Sequence, residues 1–277
     1  MKLEKVEFTK AQETNLITLY SRVLHSRSPN ALLNDPWAEK ALGQIDHDFT
    51  KFKVGRVEGI SFAARAKKFD FLTAQFLKKN PISTVLYLGC GLDTRVYRIN
   101  PSKDVAWYDI DFPEVIDLRK RLFPERKDYF MIGSSLAETN WLRQIPNDRP
   151  TLIIAEGVTM YLTEKIMKNL MNGLVDYFPM GEIMFDAHSK KLINWMASHE
   201  FNLRGTGAKF EWGMTKPEEI NAIEPRLEFV KQFKTIELEE YSKMSFIDKV
   251  IIWRLELFPL IRGIQRPFIF SFKKHTN

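Results

Sequence analysis

The sequence predicts an α/β protein in which helices flank a doubly wound, mainly parallel sheet of seven strands. Two observations predict this class. Short β-prone runs alternate with helical periodicity from residue 81 onward, and the first of these runs ends in a glycine-containing loop. In such sheets, ligands bind beyond the carboxyl ends of the strands, near the point where strand order reverses. The loop after the first strand is therefore a candidate ligand site.

Seven strands are predicted, each as a short run rich in β-branched, aromatic and other apolar residues. The run from Thr151 to Ala155 is almost wholly apolar, which indicates a central strand covered on both faces. Helices are predicted from Pro113 through Leu122 and from Glu164 to Tyr177, with Thr163 as the N-cap of the second. The remaining strands are Ser83–Leu88, Val105–Ile110, Tyr129–Ile132, Glu182–Asp186, Leu227–Phe233 and Pro267–Phe272.

The chain is predicted to consist of a helical N-terminal cap, residues 1–80, and a core, residues 81–277, within one domain. Apolar residues between Gly59 and Asn80 recur on one helical face, and this helix should end before Pro81 because the residue before a proline avoids helical geometry. A segment of about residues 190–216 is longer than a tight connection requires and is expected to form a second cap. Its aromatic residues either cover a substrate or belong to the ordinary core; they are Trp195, Phe201, Phe210 and Trp212.

Composition argues against several classes of protein. The net charge of +6 comes from 41 basic and 35 acidic residues spread along the chain, which is typical of a solvated surface and not of a nucleic-acid stripe. The single cysteine, Cys90, rules out an intramolecular disulfide and a multi-cysteine metal cluster. No stretch resembles a signal peptide or a membrane span. We therefore expect a cytoplasmic protein without a metal, membrane or nucleic-acid partner.

The loop after the first strand, in the stretch YLGCGLDTR from Tyr87 to Arg95, carries two glycines one residue apart. Glycine lacks the Cβ that would keep a ligand away from the main chain, so this loop is a candidate cofactor cradle. A dinucleotide fingerprint requires a third glycine where Thr94 stands. A nicotinamide-dependent oxidoreductase stays open as an alternative, although Thr94 disfavours it.

Three motifs resemble the leucine carboxyl methyltransferase family, in particular its bacterial polyketide-type O-methyltransferase branch. They are YLGCGLDTRVYR, WYDIDFPEVIDLRK and IIAEGVTMYL, which begin at Tyr87, Trp107 and Ile153. The resemblance implies a class I, Rossmann-like methyltransferase fold and S-adenosyl-L-methionine as cofactor. It also implies transfer of a methyl group to a carboxylate or hydroxyl of a small molecule or peptide. A non-catalytic relative that binds the cofactor is a further alternative.

The resemblance further implies which residues bind the cofactor. Gly89 and Gly91 would lie under its methionine and ribose part. Asp111 matches the acidic residue of the family's second motif and would accept hydrogen bonds from the ribose hydroxyls, with Asp109 as the rival for that role.

Other implied cofactor contacts lie on different segments. Arg65, in the helix before the first strand, would hold the methionyl carboxylate, with Arg22 as a second candidate. Glu156 would face the cofactor's ammonium group or the substrate. Ser135 stands where the family has an Asp that contacts the adenine amino group, and a serine hydroxyl can still form a hydrogen bond there.

Candidates for the transfer step depend on the acceptor. A carboxylate is already ionised and needs no base, whereas a hydroxyl needs one. His188, just past the fifth strand, is the candidate base, and Tyr161 is a candidate for the acceptor pocket. Arg95 and Arg98 either orient the glycine loop or bind an acceptor carboxylate. The identity of the acceptor and the oligomeric state stay open.

Overall fold

The computed structural model describes residues 3–6, 8, 10–199, 206–237, 241–242, 244–257 and 266–274. Its helices are α1 (Thr14–Ser26), α2 (Pro36–Leu42), α3 (Arg56–Lys79), α4 (Arg95–Ile99), α5 (Pro113–Leu122), α6 (Glu164–Tyr177), α7 (Lys190–Ser198) and α8 (Phe246–Glu256). Its strands are β1 (Glu4–Lys5), β2 (Ile45–Asp46), β3 (Ser83–Leu88), β4 (Val105–Asp111), β5 (Tyr129–Gly133), β6 (Thr151–Ala155), β7 (Met180–Ala187), β8 (Glu228–Gln232) and β9 (Arg266–Lys273). Short 3-10 helices are Lys10–Glu13, Phe49–Phe52, Asn140–Gln144, Thr159–Tyr161 and Pro217–Ala222.

The main sheet has seven strands in the order β5-β4-β3-β6-β7-β9-β8. All neighbouring pairs are parallel except those of β9, which runs antiparallel to β7 and β8. The chain winds outward from β3 to β5 on one side and from β6 to β7 on the other, so strand order reverses between β3 and β6. The predicted fold class is confirmed, and the expected ligand region lies at the carboxyl ends of these two strands.

Most predicted element bounds agree with the structure, and the differences arise at strand ends. The fifth predicted strand, Glu182–Asp186, is longer as β7 because β9 pairs with it from Met180 to Ala187. Asp111, expected just after the second strand, is the last residue of β4 because it pairs with Gly133 of β5. Pairing with a distant strand sets these ends, and the local sequence does not contain that information.

The sheet is covered by apolar residues on both faces, as the continuous apolar strands predicted. Val85 and Tyr87 of β3 pack in one cluster with Leu19 of α1 and Phe69 of α3. The alternate residues of the same strand lie in a second cluster with α6, whose Thr163 N-cap accepts a hydrogen bond from Ile166 N at 3.2 Å. The helices of the N-terminal region therefore pack directly on the sheet, where α1 and α3 can reach the end of β3.

Within the described part of the chain, no helix combines the length and the apolar character that crossing a bilayer requires. The same residues contain no group of three or more His, Cys, Asp or Glu side chains placed to hold a metal ion.

Candidate functional site

The two glycines of the loop after β3 adopt backbone conformations that other residues rarely adopt. Gly89 has φ +60° and Gly91 has φ +51°. A Cβ at Gly89 would lie 2.6 Å from Val158 Cγ2, and a Cβ at Gly91 would overlap Asn15 Oδ1. Both positions require glycine for conformation and for space.

A cavity of about 820 Å³ opens beside this loop. Its wall contains both glycines and Cys90, together with side chains from both halves of the chain. From the N-terminal region come Thr14, Asn15, Thr18 and Arg22 of α1 and Ile60, Phe62 and Arg65 of α3; from the rest come Glu156, Met160, Tyr161, His188, Phe210, Phe233, Lys234 and Arg266. The site is thus assembled where strand order reverses, and the N-terminal helices form one wall.

Arg65 and Glu156 form a buried ion pair in the cavity wall. Arg65 Nε donates to Glu156 Oε1 at 2.8 Å, and Arg65 Nη1 donates to Asp186 Oδ2 at 3.3 Å. Burial alone would lower the pKa of Arg65, but Asp186 and Glu156 outweigh it, and the pKa is raised. Glu156 also accepts from Arg95 Nη2, so two guanidinium groups share its charge. The predicted cofactor contacts Arg65 and Glu156 are therefore brought together at the cavity.

Asp111 supports the glycine loop from the neighbouring strand. Its Oδ2 accepts from Gly91 N at 2.7 Å, and its Oδ1 accepts from Phe112 N at 2.7 Å. Burial raises its pKa to about 6, although the two backbone hydrogen bonds act in the opposite direction. Each carboxylate oxygen keeps a second lone pair that can accept a further hydrogen bond. Asp111 lies just outside the cavity wall described above.

Asp109, the rival of Asp111, points into the interior of the protein. It accepts hydrogen bonds from Trp107 Nε1 at 2.8 Å and Tyr129 Oη at 2.6 Å, and it also pairs with Arg119. Only 1% of its surface is exposed. Since three partners occupy this carboxylate below the loop, Asp111 is the carboxylate better placed for a ligand.

Ser135 lies at the same edge of the sheet as Asp111 but not in the cavity wall. Ser134 N donates to the backbone oxygen of Asp111 at 2.8 Å, which brings the end of β5 beside the end of β4. The Ser135 hydroxyl accepts from Ala137 N at 3.2 Å, and its side chain is half-buried. Ser135 therefore lies near Asp111, and its contact with the adenine stays a prediction.

Tyr161 and His188, which also line the cavity, flank Phe210. The Tyr161 ring stacks on Phe210 with centroids 5.3 Å apart, and the His188 ring meets Phe210 edge-on at 6.0 Å. His188 is 5% exposed, and burial, reinforced by the charge of Arg65, lowers its pKa to about 4. Burial also raises the pKa of Tyr161. At neutral pH both side chains are therefore uncharged.

The aromatic residues of the predicted second cap have different environments. Phe210 lies in the cavity wall, whereas Trp212 is buried against Phe185 with centroids 6.0 Å apart. Trp195 is 39% exposed and stacks on His199. Phe201 lies outside the described residues. Among the residues that the structure describes in this segment, Phe210 is the aromatic residue that contacts the cavity.

Arg95 and Arg98 belong to an ion-pair network behind the loop and not to the cavity wall. Both donate to Asp70 of α3, at 2.8 Å and 2.7 Å, and Arg98 also pairs with Asp35 and Asp93. Burial would raise the pKa of Asp93, but the surrounding arginines hold it well below its usual range. Arg95 and Arg98 were predicted either to orient the glycine loop or to bind an acceptor carboxylate. These contacts favour the first role.

Thr94, which replaces the third glycine of a dinucleotide fingerprint, is completely buried. Its hydroxyl donates to both carboxylate oxygens of Asp35, at 2.6 and 2.7 Å. Asp35 in turn caps α2 by accepting from Ala38 N at 3.0 Å. This position connects the loop to the N-terminal helices instead of permitting close helix packing beside a pyrophosphate.

Two cavity residues of α1, Asn15 and Arg22, lie outside the three motifs. Asn15 lies against Gly91, and no motif marks it. Arg22 donates to the backbone oxygen of Leu92 at 2.9 Å and lies 3.4 Å from Asp93. Its position between apolar Leu19 and Val23 was the available signal, because a charged residue on a buried helical face requires partners. The candidate carboxylate ligand Arg22 is thus also bound to the loop itself.

The chain is similar in sequence and fold to known methyltransferases. The family model for leucine carboxyl methyltransferase matches residues 15–175. The chain is 35% identical over 272 residues to the tetracenomycin polyketide synthesis O-methyltransferase TcmP of Streptomyces glaucescens. The aligned residues make up 97% of this chain and 99% of that protein. It is 32% identical over 262 residues, 87% of each chain, to the S-adenosyl-L-methionine-dependent methyltransferase dpfgK of Gibberella zeae. The fold is similar, with a TM-score of 0.50 and 12% identity over 93% of this chain and 99% of the other, to the N-methyltransferase NodS from Bradyrhizobium japonicum WM9 in complex with S-adenosyl-L-homocysteine.

Proposed function

The chain belongs to the leucine carboxyl methyltransferase family, and from that premise we propose that it methylates a carboxylate oxygen of a small, largely apolar molecule. It is an S-adenosyl-L-methionine-dependent methyltransferase. The nicotinamide alternative finds no support, because Thr94 is used to anchor the loop on Asp35.

The residues at the cavity fit the cofactor. Gly89 and Gly91 both line the cavity, and because Val158 and Asn15 fill the space that a Cβ would need, only glycine lets the loop backbone take this position. Arg65 would hold the methionyl carboxylate, and Glu156 beside it would face the ammonium group. Asp111 would accept from the ribose hydroxyls with its remaining lone pairs.

Ser135 would accept a hydrogen bond from the adenine amino group with its hydroxyl oxygen. Its position beside the end of β4 supports this assignment.

When bound, the cofactor supplies a methyl group on a positively charged sulfur. The task of the protein is then to align the acceptor with that methyl group and to exclude water.

The observation that carries the choice of a carboxylate acceptor is that the two titratable side chains beside Phe210, His188 and Tyr161, are poor bases. His188, with a pKa of about 4, is a weak base, and the raised pKa of Tyr161 keeps its phenol protonated. Glu156 and Asp93 are engaged by arginines. A hydroxyl acceptor requires a base with a pKa near the working pH, whereas a carboxylate is already ionised.

The remaining wall suits an acidic acceptor with an apolar body. Lys234 lines the cavity, and its positive charge attracts an anion. Phe62, Phe210 and Phe233 provide apolar contact area in the cavity wall. A volume of about 820 Å³ accommodates a cofactor and a small acceptor.

The polyketide pathway in the name of the Streptomyces relative supports a small-molecule acceptor over a peptide. We propose that residues 1–80 and about 190–216 act as caps over that acceptor, since α1, α3 and Phe210 supply much of the wall. The cytoplasmic location and the lack of a nucleic-acid partner stay predictions from the sequence.

Matched acceptor pairs test the proposal. Radiolabelled S-adenosyl-L-methionine is incubated with the protein and benzoic acid or phenol, and with 2-naphthoic acid or 2-naphthol. We expect label to be transferred to the acids, in a product that mild alkali hydrolyses to methanol because it is a methyl ester. Transfer to the phenols alone, in an alkali-stable ether, would show that the acceptor class is wrong.

A further inference from the structure

Arg119 of α5 lies directly beneath the glycine loop and is completely buried. Its Nη1 donates to two backbone oxygens of the loop, Gly91 O at 2.8 Å and Asp93 O at 2.7 Å. Buried carbonyl groups require hydrogen-bond partners, and no secondary structure supplies them in this turn. One guanidinium group therefore holds the two carbonyls that bracket Leu92.

The other side of the guanidinium is held by a second set of partners. Nη2 donates to Tyr129 Oη at 2.8 Å and to Asp109 Oδ2. Asp109 is fixed in turn by Trp107 Nε1 at 2.8 Å. Arg119 thus connects the glycine loop to strands β4 and β5 through hydrogen bonds.

The consequence for Gly91 is that both of its peptide groups are fixed. Its N–H donates to Asp111, and its carbonyl accepts from Arg119. Together these bonds hold the residue at φ +51°, with its Cα at the cavity. Without the bond to Arg119, the carbonyl is free to turn, and the left-handed conformation loses a restraint.

We propose that Arg119 is a positioning residue for the cofactor: it holds the glycine loop in its binding conformation through the carbonyls of Gly91 and Asp93. The proposal rests on the assignment of this loop as the cofactor site. Arginine is required because its planar fork reaches four acceptors at once, which a lysine ammonium on a flexible stem cannot do. Asp109 balances the guanidinium charge, so that a cationic methyl donor above the loop is not repelled.

A purely structural role for Arg119 would also explain its burial, so the test must separate affinity from stability. We compare Arg119→Lys with Leu118→Ala, which removes a buried core side chain from the same helix and touches neither loop carbonyl. Binding of S-adenosyl-L-homocysteine is measured by calorimetry well below the melting temperature of each variant. Amide exchange of residues 89–94 is measured in parallel.

We expect Arg119→Lys to weaken binding at least about tenfold, or 1.4 kcal/mol, with faster exchange in the loop. Leu118→Ala should bind within about twofold of the wild type although it is destabilised. Equal loss of affinity in both variants, or unchanged affinity in Arg119→Lys, would overturn the proposal. If Arg119→Lys does not fold, Arg119→Gln combined with Asp109→Asn removes both buried charges together and is judged by the same criteria.

Gly91→Ala distinguishes failure of this proposal from failure of the site assignment. If Gly91→Ala abolishes binding while Arg119→Lys does not change it, only the role of Arg119 is wrong. If the cofactor binds unchanged to Gly91→Ala, the loop is not the site, and both proposals fail.

Discussion

Arg65 and Glu156 are 91 residues apart in the chain and form an ion pair of 2.8 Å in the wall of the cavity. The pair joins α3 of the N-terminal region to the carboxyl end of β6. Both side chains are about 5% exposed or less, so each charge is balanced by its ion-pair partners and not by hydrating water. The helical region is thus tied to the sheet at the point where the ligand is expected.

Glu156→Gln should lower the free energy of unfolding by about 3–5 kcal/mol, because it leaves buried Arg65 and Arg95 without their shared partner. Urea unfolding at pH 7 measures the change. Glu39→Gln is the control, since it breaks the exposed pair with Arg27 and should cost less than about 1 kcal/mol. Similar losses in the two variants would contradict the importance of the buried pair.

Gly91→Ala should weaken S-adenosyl-L-homocysteine binding at least about tenfold, because the added methyl group overlaps Asn15, so that Asn15 or the loop must shift and both line the cavity. Gly207→Ala is a matched control. Gly207 also has positive φ, so its substitution carries a similar backbone strain of about 1–2 kcal/mol, but nothing lies within 4 Å of the new methyl group. Calorimetry should find the affinity of Gly207→Ala unchanged, and equal weakening of the two variants would indicate strain alone.

Cofactor affinity should fall as the pH is lowered through about 6, the pKa to which burial raises Asp111. Below that pH the carboxylate gains a proton and loses its capacity to accept from ribose hydroxyls. Calorimetry between pH 5 and pH 8 measures the dependence, which Asp111→Asn should abolish. A wild-type affinity that does not change with pH would exclude Asp111 from binding.

The stability of the free protein should respond to Asp111 in the opposite direction. Its pKa is raised above the ordinary 3.8, so the folded chain holds this proton more tightly than the unfolded chain. Its contribution to stability therefore improves as the pH falls from about 6 toward 4. Comparing urea unfolding of wild type and Asp111→Asn across this range isolates the contribution.

His188→Asn should reduce methyl transfer to a carboxylate acceptor by less than about tenfold, because His188 is not needed as a base. A loss of 10² to 10⁴ would be typical of a general base and would contradict this interpretation of His188. The pKa of about 4 also predicts that the histidine stabilises the fold above pH 6.5 and that this stabilisation is lost as the pH falls toward 4. Rate measurements and unfolding of the variant between pH 4 and pH 8 check both statements.

Phe210→Ala should raise the KM of the acceptor and leave cofactor affinity unchanged, because Phe210 stacks on Tyr161 in the proposed acceptor pocket. Trp212→Ala should instead destabilise the fold by about 3–5 kcal/mol, since Trp212 packs against the buried Phe185. Trp195→Ala, at an exposed position, should change neither property. A Phe210→Ala enzyme with unchanged acceptor KM would remove this segment from the proposed cap.

By itself, the sequence determined the order and type of the strands, the position of the glycine loop and the family. These features are local: the seven strands, the helices at 113–122 and 164–177 and the pair Gly89 and Gly91 can be recognised within a few residues of chain. Only the tertiary structure decided that Asp109 is occupied below the loop by Arg119 while Asp111 supports Gly91. The same is true of Asn15, which α1 brings against Gly91. The physical reason is that partners distant in sequence meet only through helix packing and strand pairing, and neither the identity of a buried partner nor the charge it balances is present in local periodicity.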